Sequence, residues 1–293
     1  MTLILGASPL RDALDALARD ARLVFLAGLP GTGKSLLIHQ LGQLAHGHGR
    51  AVHLLQWDVA RPVFEASAPG RRYPQEDGVT HGVVRLAVGR WARAAVARWH
   101  ARHDGAPAIL IGETPFVGHR LVELARPEPD AAEAVLAAPG TRFVIPVPSR
   151  ELRRHLAAER ERRARSPLHP REREDAPPAV LEGLWQELVA VAGALGIASG
   201  AAGGTGERAA APPYDPAIYQ AVYERLLAHR HAQALPVTTR LPAEGLSPYD
   251  LGIPAADLVP TEAEAAAAVQ EVEARLTDPE AVRRAIEGWY RVG

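Results

Sequence analysis

The sequence predicts an α/β fold built on a mainly parallel sheet, and three observations predict it. Short apolar runs alternate with helical patterns along the chain. The first of these runs, Leu23 to Ala27, leads straight into a glycine-rich loop, Gly28-Leu29-Pro30-Gly31-Thr32-Gly33-Lys34-Ser35. Behind the loop, Leu37, Leu41 and Leu44 recur at i, i+4 and i+7, which is one apolar face of a helix.

Each element follows in order. Ser8 is placed to cap a first helix carrying Leu10, Leu14 and Leu17, and the strand at Leu23 to Ala27 comes next. The helix behind the glycine loop ends around Gly47-His48-Gly49. A second strand is expected at Ala51 to Gln56, ending in Trp57-Asp58, and a long helix from Val79 to Arg102 carries Trp91 and Trp99 on apolar positions. The third strand, Ala108 to Gly112, delivers Glu113 at its end. Short helices are expected at Val117 to Ala125 and Asp130 to Ala138, and a fourth strand at Arg142 to Val147. The stretch Ser149 to Arg173 is different: after Leu152 and Leu156 it is polar all round, as projecting or mobile helices are. Pro177 opens a further helix with Leu181, Leu184, Trp185 and Leu188. Ser199 to Pro213 reads as a flexible Gly/Ala-rich linker, followed by a helix containing Tyr219 and Tyr223 and a fifth strand at Ala234 to Thr239. From Leu241 onward a loop and two helices are expected, so the chain divides into a core at 1–242, with a lid at about 149–178, and a helical extension at 243–293.

Composition narrows the function. A chain of 293 residues with 47% hydrophobic content buries a sizeable core. Its 33 basic and 34 acidic side chains leave no overall field to draw it onto nucleic acid or an anionic membrane, so neither is an expected partner. The absence of cysteine excludes disulfides, thiolate catalysis and cysteine-ligated zinc. No basic segment precedes the first apolar residues, and the uncharged stretch Leu188 to Thr205 is too rich in glycine and alanine to make a good membrane span, so a cytoplasmic protein is expected. Lys34 is the only lysine in the chain, although arginine fills every other strongly basic position. An ammonium is a compact point charge that sits between phosphate oxygens, where the larger, planar guanidinium has a different reach.

That lysine lies in a Walker A motif. Backbone N–H groups from Gly28 through Leu36 are expected to curl around a polyphosphate, with Pro30, Gly31, Thr32 and Gly33 forming the turn. Lys34 reaches the β and γ phosphates, and Ser35 ligates Mg²⁺. The nucleotide is taken as ATP, because no base-reading sequence typical of GTPases is present. Ligands of parallel sheets lie outside the carboxyl ends of the strands, where Asp58 and Glu113 also arrive. Asp58 is the expected base or acceptor-orienting group and Glu113 the metal-side acid; the alternative for either is an acid that caps a helix or turn. Arg61, Arg71 and Arg72 are candidate contacts for an anionic acceptor, against ordinary surface roles. His100 with His103 and His229 with His231 lack carboxylate or cysteine partners at ligand spacing and are read as surface histidines.

Walker A after the first strand, Asp58 and Arg61 after the second, an acid after the third and an arginine-rich segment after the fourth together resemble the P-loop small-molecule kinases. These are relatives of the nucleoside-monophosphate, shikimate and gluconate kinases and of the chloramphenicol phosphotransferase and zeta-toxin group, and the resemblance spans roughly Leu23 to Thr239. It implies a three-layer αβα sandwich of the P-loop NTPase type, five strands in the order 2-3-1-4-5, and a lid that brings arginines to the transferring group. It places Asp58 against the acceptor and Arg150, Arg153, Arg154, Arg160, Arg162 and Arg163 in the lid, with Arg153 and Arg160 chosen as catalytic. Glu159 with Arg163 and Glu161 with Arg165 stand at i, i+4, so about half of these arginines are expected to be solvated ion pairs. The expected activity is Mg²⁺-dependent transfer of the γ-phosphate of ATP to a hydroxyl of a small acceptor. A regulatory NTPase and a kinase of polynucleotide 5′ ends are the alternatives, the second disfavoured by the near-zero charge.

Overall fold

Ser8 begins the first helix as the sequence predicts: its hydroxyl accepts from Arg11 N over Pro9–Asp20 (α1), and the chain then enters the sheet at Leu23–Ala27 (β1). The computed structural model describes residues 3–76, 78–174, 177–197, 212–242, 245–247 and 252–292. The remaining elements are Lys34–Gly47 (α2), Ala51–Leu55 (β2), Trp57–Ala66 (α3), Gly82–Arg102 (α4), Ala108–Thr114 (β3), Glu133–Leu136 (α5) and Thr141–Pro148 (β4). Beyond these come Arg150–Arg165 (α6), Pro178–Ala194 (α7), Pro216–Leu226 (α8), Ala232–Val237 (β5), Ala255–Asp257 (β6), Glu262–Arg275 (α9) and Pro279–Glu287 (α10).

All neighbouring strands pair in parallel, in the order β5-β4-β1-β3-β2-β6. Read from the other edge this is the expected 2-3-1-4-5 order with one strand added outside β2, so the sheet has six strands rather than five. The extra strand, β6, has three residues with largely exposed side chains, and without apolar alternation it gives no periodic signal. A second correction concerns Glu113. β3 runs two residues past Gly112, so Glu113 lies inside the strand beside Leu26 rather than after it. Gly112 does not end the strand; it makes room for the Phe25 ring, whose Cδ1 lies 2.7 Å from where a Cβ would stand.

Alternation along the strands builds two cores. Leu23, Phe25, Leu110, Phe143 and Ile145 face α3, α4, α7, α8, α9 and α10. Val24, Leu26, Ile109, Ile111 and Val144 face α1 and α2. Helices thus cover both faces, as a buried parallel sheet requires, and Trp91, Trp99 and Trp185 take core positions. α9 begins with a reciprocal Thr261–Glu264 capping box and is tied to α4 by Arg98 to Glu264 at 2.7 Å and Arg90 to Glu271 at 3.0 Å. The expected linker at 199–213 lies outside the described residues except for its last two positions, where the Pro212 carbonyl accepts from Trp185 Nε1 at 2.6 Å. Among the described residues no helix is long and apolar enough to cross a membrane. Because every strand runs the same way, the segments following β1, β2, β3 and β4 all leave at one end of the sheet. That end holds the glycine loop, α3, a tight turn and α6.

Candidate functional site

The glycine loop bridges β1 and α2 in the way its sequence requires. Gly31 and Gly33 have φ of 74° and 85°, a region that side chains disfavour. Gly33 is the residue before α2 and caps it without a side chain. The first main-chain bond of that helix runs from Leu37 N to Gly33 O, so the amides at Gly33, Lys34, Ser35 and Leu36 have no partner within the helix. Gly28 is held for a different reason: the Tyr219 hydroxyl of α8 lies 2.1 Å from where a Cβ would stand. Thr32 turns inward, its hydroxyl donating to Leu29 O at 2.8 Å, so its side chain is a brace within the loop.

Lys34 is buried and donates from Nζ to Gly28 O at 2.7 Å and Leu29 O at 2.9 Å. Burial pushes its ammonium down to about 8, against the pull of Glu113. Glu113 is pushed up by the same burial, and the Lys34 charge opposes that rise. Glu113 Oε1 accepts from Trp57 N at 3.3 Å and so helps to cap α3, whose N-cap residue, Gln56, makes no capping bond with its side chain. Asp58 is exposed in the first turn of the same helix, and its charge is felt by both Lys34 and Glu113. One acid from the first turn of α3 and one from β3 therefore act on the lysine at the mouth of the loop.

From the other side comes α6. Ser149 caps it by accepting from Leu152 N at 3.1 Å, and Leu152 enters the core, which turns Arg153 onto the glycine loop. Arg153 is buried and donates from Nη1 to Pro30 O at 3.0 Å, with its guanidinium 5.8 Å from the Tyr214 ring centre. Two turns further on, Arg160 brings its Nη1 to 3.3 Å from the position a Cβ would take on Gly31. Burial lowers the Arg153 guanidinium from its ordinary value, and both arginines lower the Lys34 ammonium. Of the other lid arginines, four are engaged elsewhere, Arg150 with Asp215 at 2.6 Å, Arg163 with Glu172 at 2.9 Å, Arg162 with Glu159 and Arg165 with Glu161, and Arg154 is exposed.

Arg71 and Arg72 do not gather here, and Arg61, whose charge reaches Arg120, is committed to another partner. Arg61 is paired with Glu65 at 2.6 Å. Arg72 is exposed and grips Glu273 of α9 at 2.5 and 2.7 Å, and Arg71 donates to Ala66 O at 2.5 Å. Of the histidines, His103 stacks on Trp99 and lies against His53, and His231 Nε2 contacts Ala137 O at 3.0 Å. Among the described residues no cluster of three or more His, Asp or Glu is arranged to hold a metal.

One further cation stands at this site without a motif in the sequence to mark it. Arg120, in the turn after β3, faces Asp58 and Glu113, and its guanidinium lies 6.0 Å from the Trp57 ring centre. Burial lowers it from its ordinary value, and the two acids pull the other way. The only available signal was its place a few residues beyond a strand end, without periodicity or motif to mark it. Also missed were Thr114, whose carbonyl accepts from Gly28 N at 3.2 Å while its buried hydroxyl finds no partner among the described residues, and the tyrosines of α8 and the segment before it.

These residues fit a polyphosphate with a divalent cation. Left-handed glycines clear the loop's concave side, the orphan amides of α2 supply donors, and Lys34, Arg153 and Arg160 supply positive charge. The exposed Ser35 hydroxyl, together with phosphate oxygens, would hold Mg²⁺, with Glu113 or Asp58 completing its shell directly or through water.

No family model matches the chain, and no solved structure matches it. Among characterised proteins it is similar to the tRNA modification GTPase MnmE of Bradyrhizobium sp. (strain ORS 278), 35% identical over 106 residues. That stretch is 33% of this chain and 24% of the relative, so the likeness covers about a quarter of the other protein's length. The likeness, the Walker A loop between strand and helix and the parallel sheet agree at one level: the architecture is that of the P-loop NTPases.

Proposed function

We propose that the protein is a Mg²⁺-dependent phosphotransferase that moves the γ-phosphoryl group of ATP to a hydroxyl of a small acceptor. The observation that carries this reading is the docking of Arg153 on Pro30 O, with Arg160 beside Gly31, opposite the carboxylates of Asp58 and Glu113. A nucleotide switch needs the loop and a partner. Cations on one side of the phosphate tail and an exposed acid on the other suit transfer to a third molecule.

In this reading the acceptor oxygen forms a bond to the γ-phosphorus as the bond from that phosphorus to the β,γ-bridging oxygen breaks. The hydroxyl proton passes to Asp58, and ADP leaves. Lys34, released from the Gly28 and Leu29 carbonyls, follows the charge that builds on the bridging and γ oxygens, and Arg153 and Arg160 neutralise the far side. Mg²⁺, when bound at Ser35, supplies further charge neutralisation and a fixed geometry for the phosphates. Glu113, already bonded to Trp57 N, has one oxygen committed to holding α3 and with it Asp58.

The test is incubation with ATP and Mg²⁺ against a library of small hydroxylated metabolites, with product mass and ADP followed together. Acceptor-dependent ADP release with a product heavier by one phosphoryl group supports the reading. γ-Phosphate delivered only to water, under saturating acceptors of every class, ends it. A second reading draws on the similarity to a tRNA modification GTPase: a nucleotide-hydrolysing protein coupled to a macromolecular partner. Preference for GTP over ATP, and hydrolysis stimulated by a bound protein without any phosphorylated product, would favour that one.

A further inference from the structure

Three tyrosines stand in a row beside the glycine loop: Tyr214 ahead of α8, Tyr219 in its first turn and Tyr223 one turn on. Ring centres lie 5.7 Å apart between Tyr214 and Tyr219 and 4.9 Å apart between Tyr219 and Tyr223. The two outer hydroxyls have carbonyl partners at the carboxyl end of the sheet. Tyr214 donates to Pro148 O, the last residue of β4, at 3.2 Å, and Tyr223 donates to Pro115 O, just past β3, at 2.8 Å. Tyr219 is thus wedged between two rings that are themselves tied down.

Its own hydroxyl is treated differently. Tyr219 is fully buried, and its oxygen is aimed at the glycine loop, 2.1 Å from where a Cβ on Gly28 would stand. Thr32 and the main chain at Leu29 are its polar neighbours, yet among the described residues it makes no well-formed hydrogen bond. Burial raises the phenol above its ordinary value, so the group is a donor and not a phenolate. A desolvated hydroxyl without a partner is costly. The reason that it has none lies in the loop. Leu29 O already accepts from the Thr32 hydroxyl at 2.8 Å and from Lys34 Nζ at 2.9 Å. A carbonyl oxygen has two lone pairs, so Leu29 O is fully engaged for as long as the lysine rests on it. A polyphosphate in the loop draws the ammonium away and opens one of those two places.

We propose that Tyr219 is a reserve donor for the glycine loop: when Lys34 leaves Leu29 O for a bound polyphosphate, the Tyr219 hydroxyl takes the place that the ammonium gives up. Tyr219 is then a positioning residue, acting through the loop and through the single lysine of the chain. It makes the nucleotide-bound loop better bonded than the free one, and so offsets part of the cost of moving Lys34 off two carbonyls. The proposal rests on nucleotide binding at the glycine loop and is indifferent to whether the γ-phosphoryl group goes to an acceptor or to water.

The experiment compares the full chain with Tyr219→Phe and Tyr223→Phe, by thermal melts without nucleotide and by calorimetric titration with Mg²⁺ and non-hydrolysable ATP and GTP analogues. Tyr219→Phe removes a hydroxyl that the nucleotide-free protein leaves unbonded, so its melting temperature should equal or exceed that of wild type. Its Kd for the analogue should rise about threefold to tenfold, the effect of one hydrogen bond made only in the bound state. Tyr223→Phe, which strips Pro115 O of its donor, should show the opposite split, a lower melting temperature with an unchanged Kd. A double-mutant cycle with Lys34→Met adds a readout that a merely structural tyrosine would not move. With no ammonium on Leu29 O the tyrosine is engaged throughout, so Tyr219→Phe in that background should lower the melting temperature, the reverse of its effect in wild type. The proposal is overturned if Tyr219→Phe binds nucleotide as wild type does, if it melts as low as Tyr223→Phe, or if the sign does not reverse beside Lys34→Met. A wild-type chain that binds neither analogue removes the nucleotide reading and the proposal with it. Binding that is equal in wild type and Tyr219→Phe removes the tyrosine's role and leaves the nucleotide reading standing.

Discussion

The two ends of this site are made in different ways. The nucleotide end is one contiguous loop of eight residues, Gly28 to Ser35, in which main-chain amides and a single ammonium provide the chemistry and glycines provide the path. The proposed acceptor end is assembled from three separate places: Asp58 on α3, Glu113 in β3 and Arg120 in the turn after β3. Binding through backbone needs a fixed local conformation, which leaves a spacing in the sequence. Binding through side chains gathered by tertiary structure leaves only scattered residues, each ordinary by itself.

The contrast predicts a steep gradient of effects. Lys34→Met should cut kcat/KM for the nucleotide by about a hundredfold to a thousandfold, since the only ammonium in the loop faces the charge that develops on the phosphates. Steady-state kinetics check this, with a thermal melt to confirm that the variant folds; unchanged turnover would remove the basis for the nucleotide end altogether. Arg153→Met should lower kcat by about tenfold to a hundredfold with a smaller effect on the KM for ATP, because a lid cation acts mainly as the charge moves. Arg162→Ala, on the exposed side of the same helix and paired with Glu159, should leave kcat within about a factor of two. If both variants behave alike, α6 is a surface helix and the phosphotransfer reading loses its support.

A third prediction separates the ends by pH. Lys34 is pushed down to about 8 from an ordinary 10.5, so between those values the unfolded chain holds a proton at this position that the nucleotide-free fold has released. The unfolded state then binds more protons, and the stability of the nucleotide-free protein rises with pH across that window. A bound polyphosphate favours the ammonium, so nucleotide affinity should fall as pH rises through about 8, with proton uptake on binding that calorimetry in two buffers can measure. Glu113 is shifted upward by burial, and the sign reverses: the fold holds a proton that the unfolded chain has lost, so its contribution falls as pH rises from the ordinary carboxylate range through the raised value. Glu113→Gln should remove the second dependence and keep the first. Loss of both would mean that one coupled pair, rather than two ends, titrates.

The same division explains how much was legible. β1, α2 and the fourth and fifth strands were readable because apolar runs bounded by turn residues carry a period. α3 was not, because Trp57-Asp58 looks like the end of a strand and Pro62 sits inside the helix it starts. Glu113 was taken to follow its strand because Gly112 looks like a stop, whereas the Phe25 ring above explains that glycine. Asp58 and Arg153 could be found from their positions after strands. Arg120 could not, since what singles it out is the left-handed backbone of its neighbours and an Nε without a hydrogen-bond partner among the described residues. Arg71 and Arg72 looked like an acceptor wall only while α9 was unplaced; Glu273 on that helix supplies the carboxylate that a substrate was expected to bring.

Arg72 carries the smallest predicted effect. Arg72 and Glu273 form an exposed pair, and Tyr73 also donates to Glu273 at 2.7 Å, so the carboxylate keeps a partner when the arginine is removed. Exposed pairs of this kind contribute little, and the pair stands apart from the groups around Lys34. Arg72→Ala should therefore change the acceptor KM by less than about twofold, where Arg120→Met, which removes the cation facing Asp58 and Glu113, should raise it about tenfold or more. The comparison is internal: both substitutions remove one guanidinium on the acceptor side of the sheet, and they differ in whether a protein carboxylate already satisfies it. A large KM effect at Arg72, with none at Arg120, would move the acceptor site out to the α3–α9 surface and leave the turn after β3 as a purely structural device.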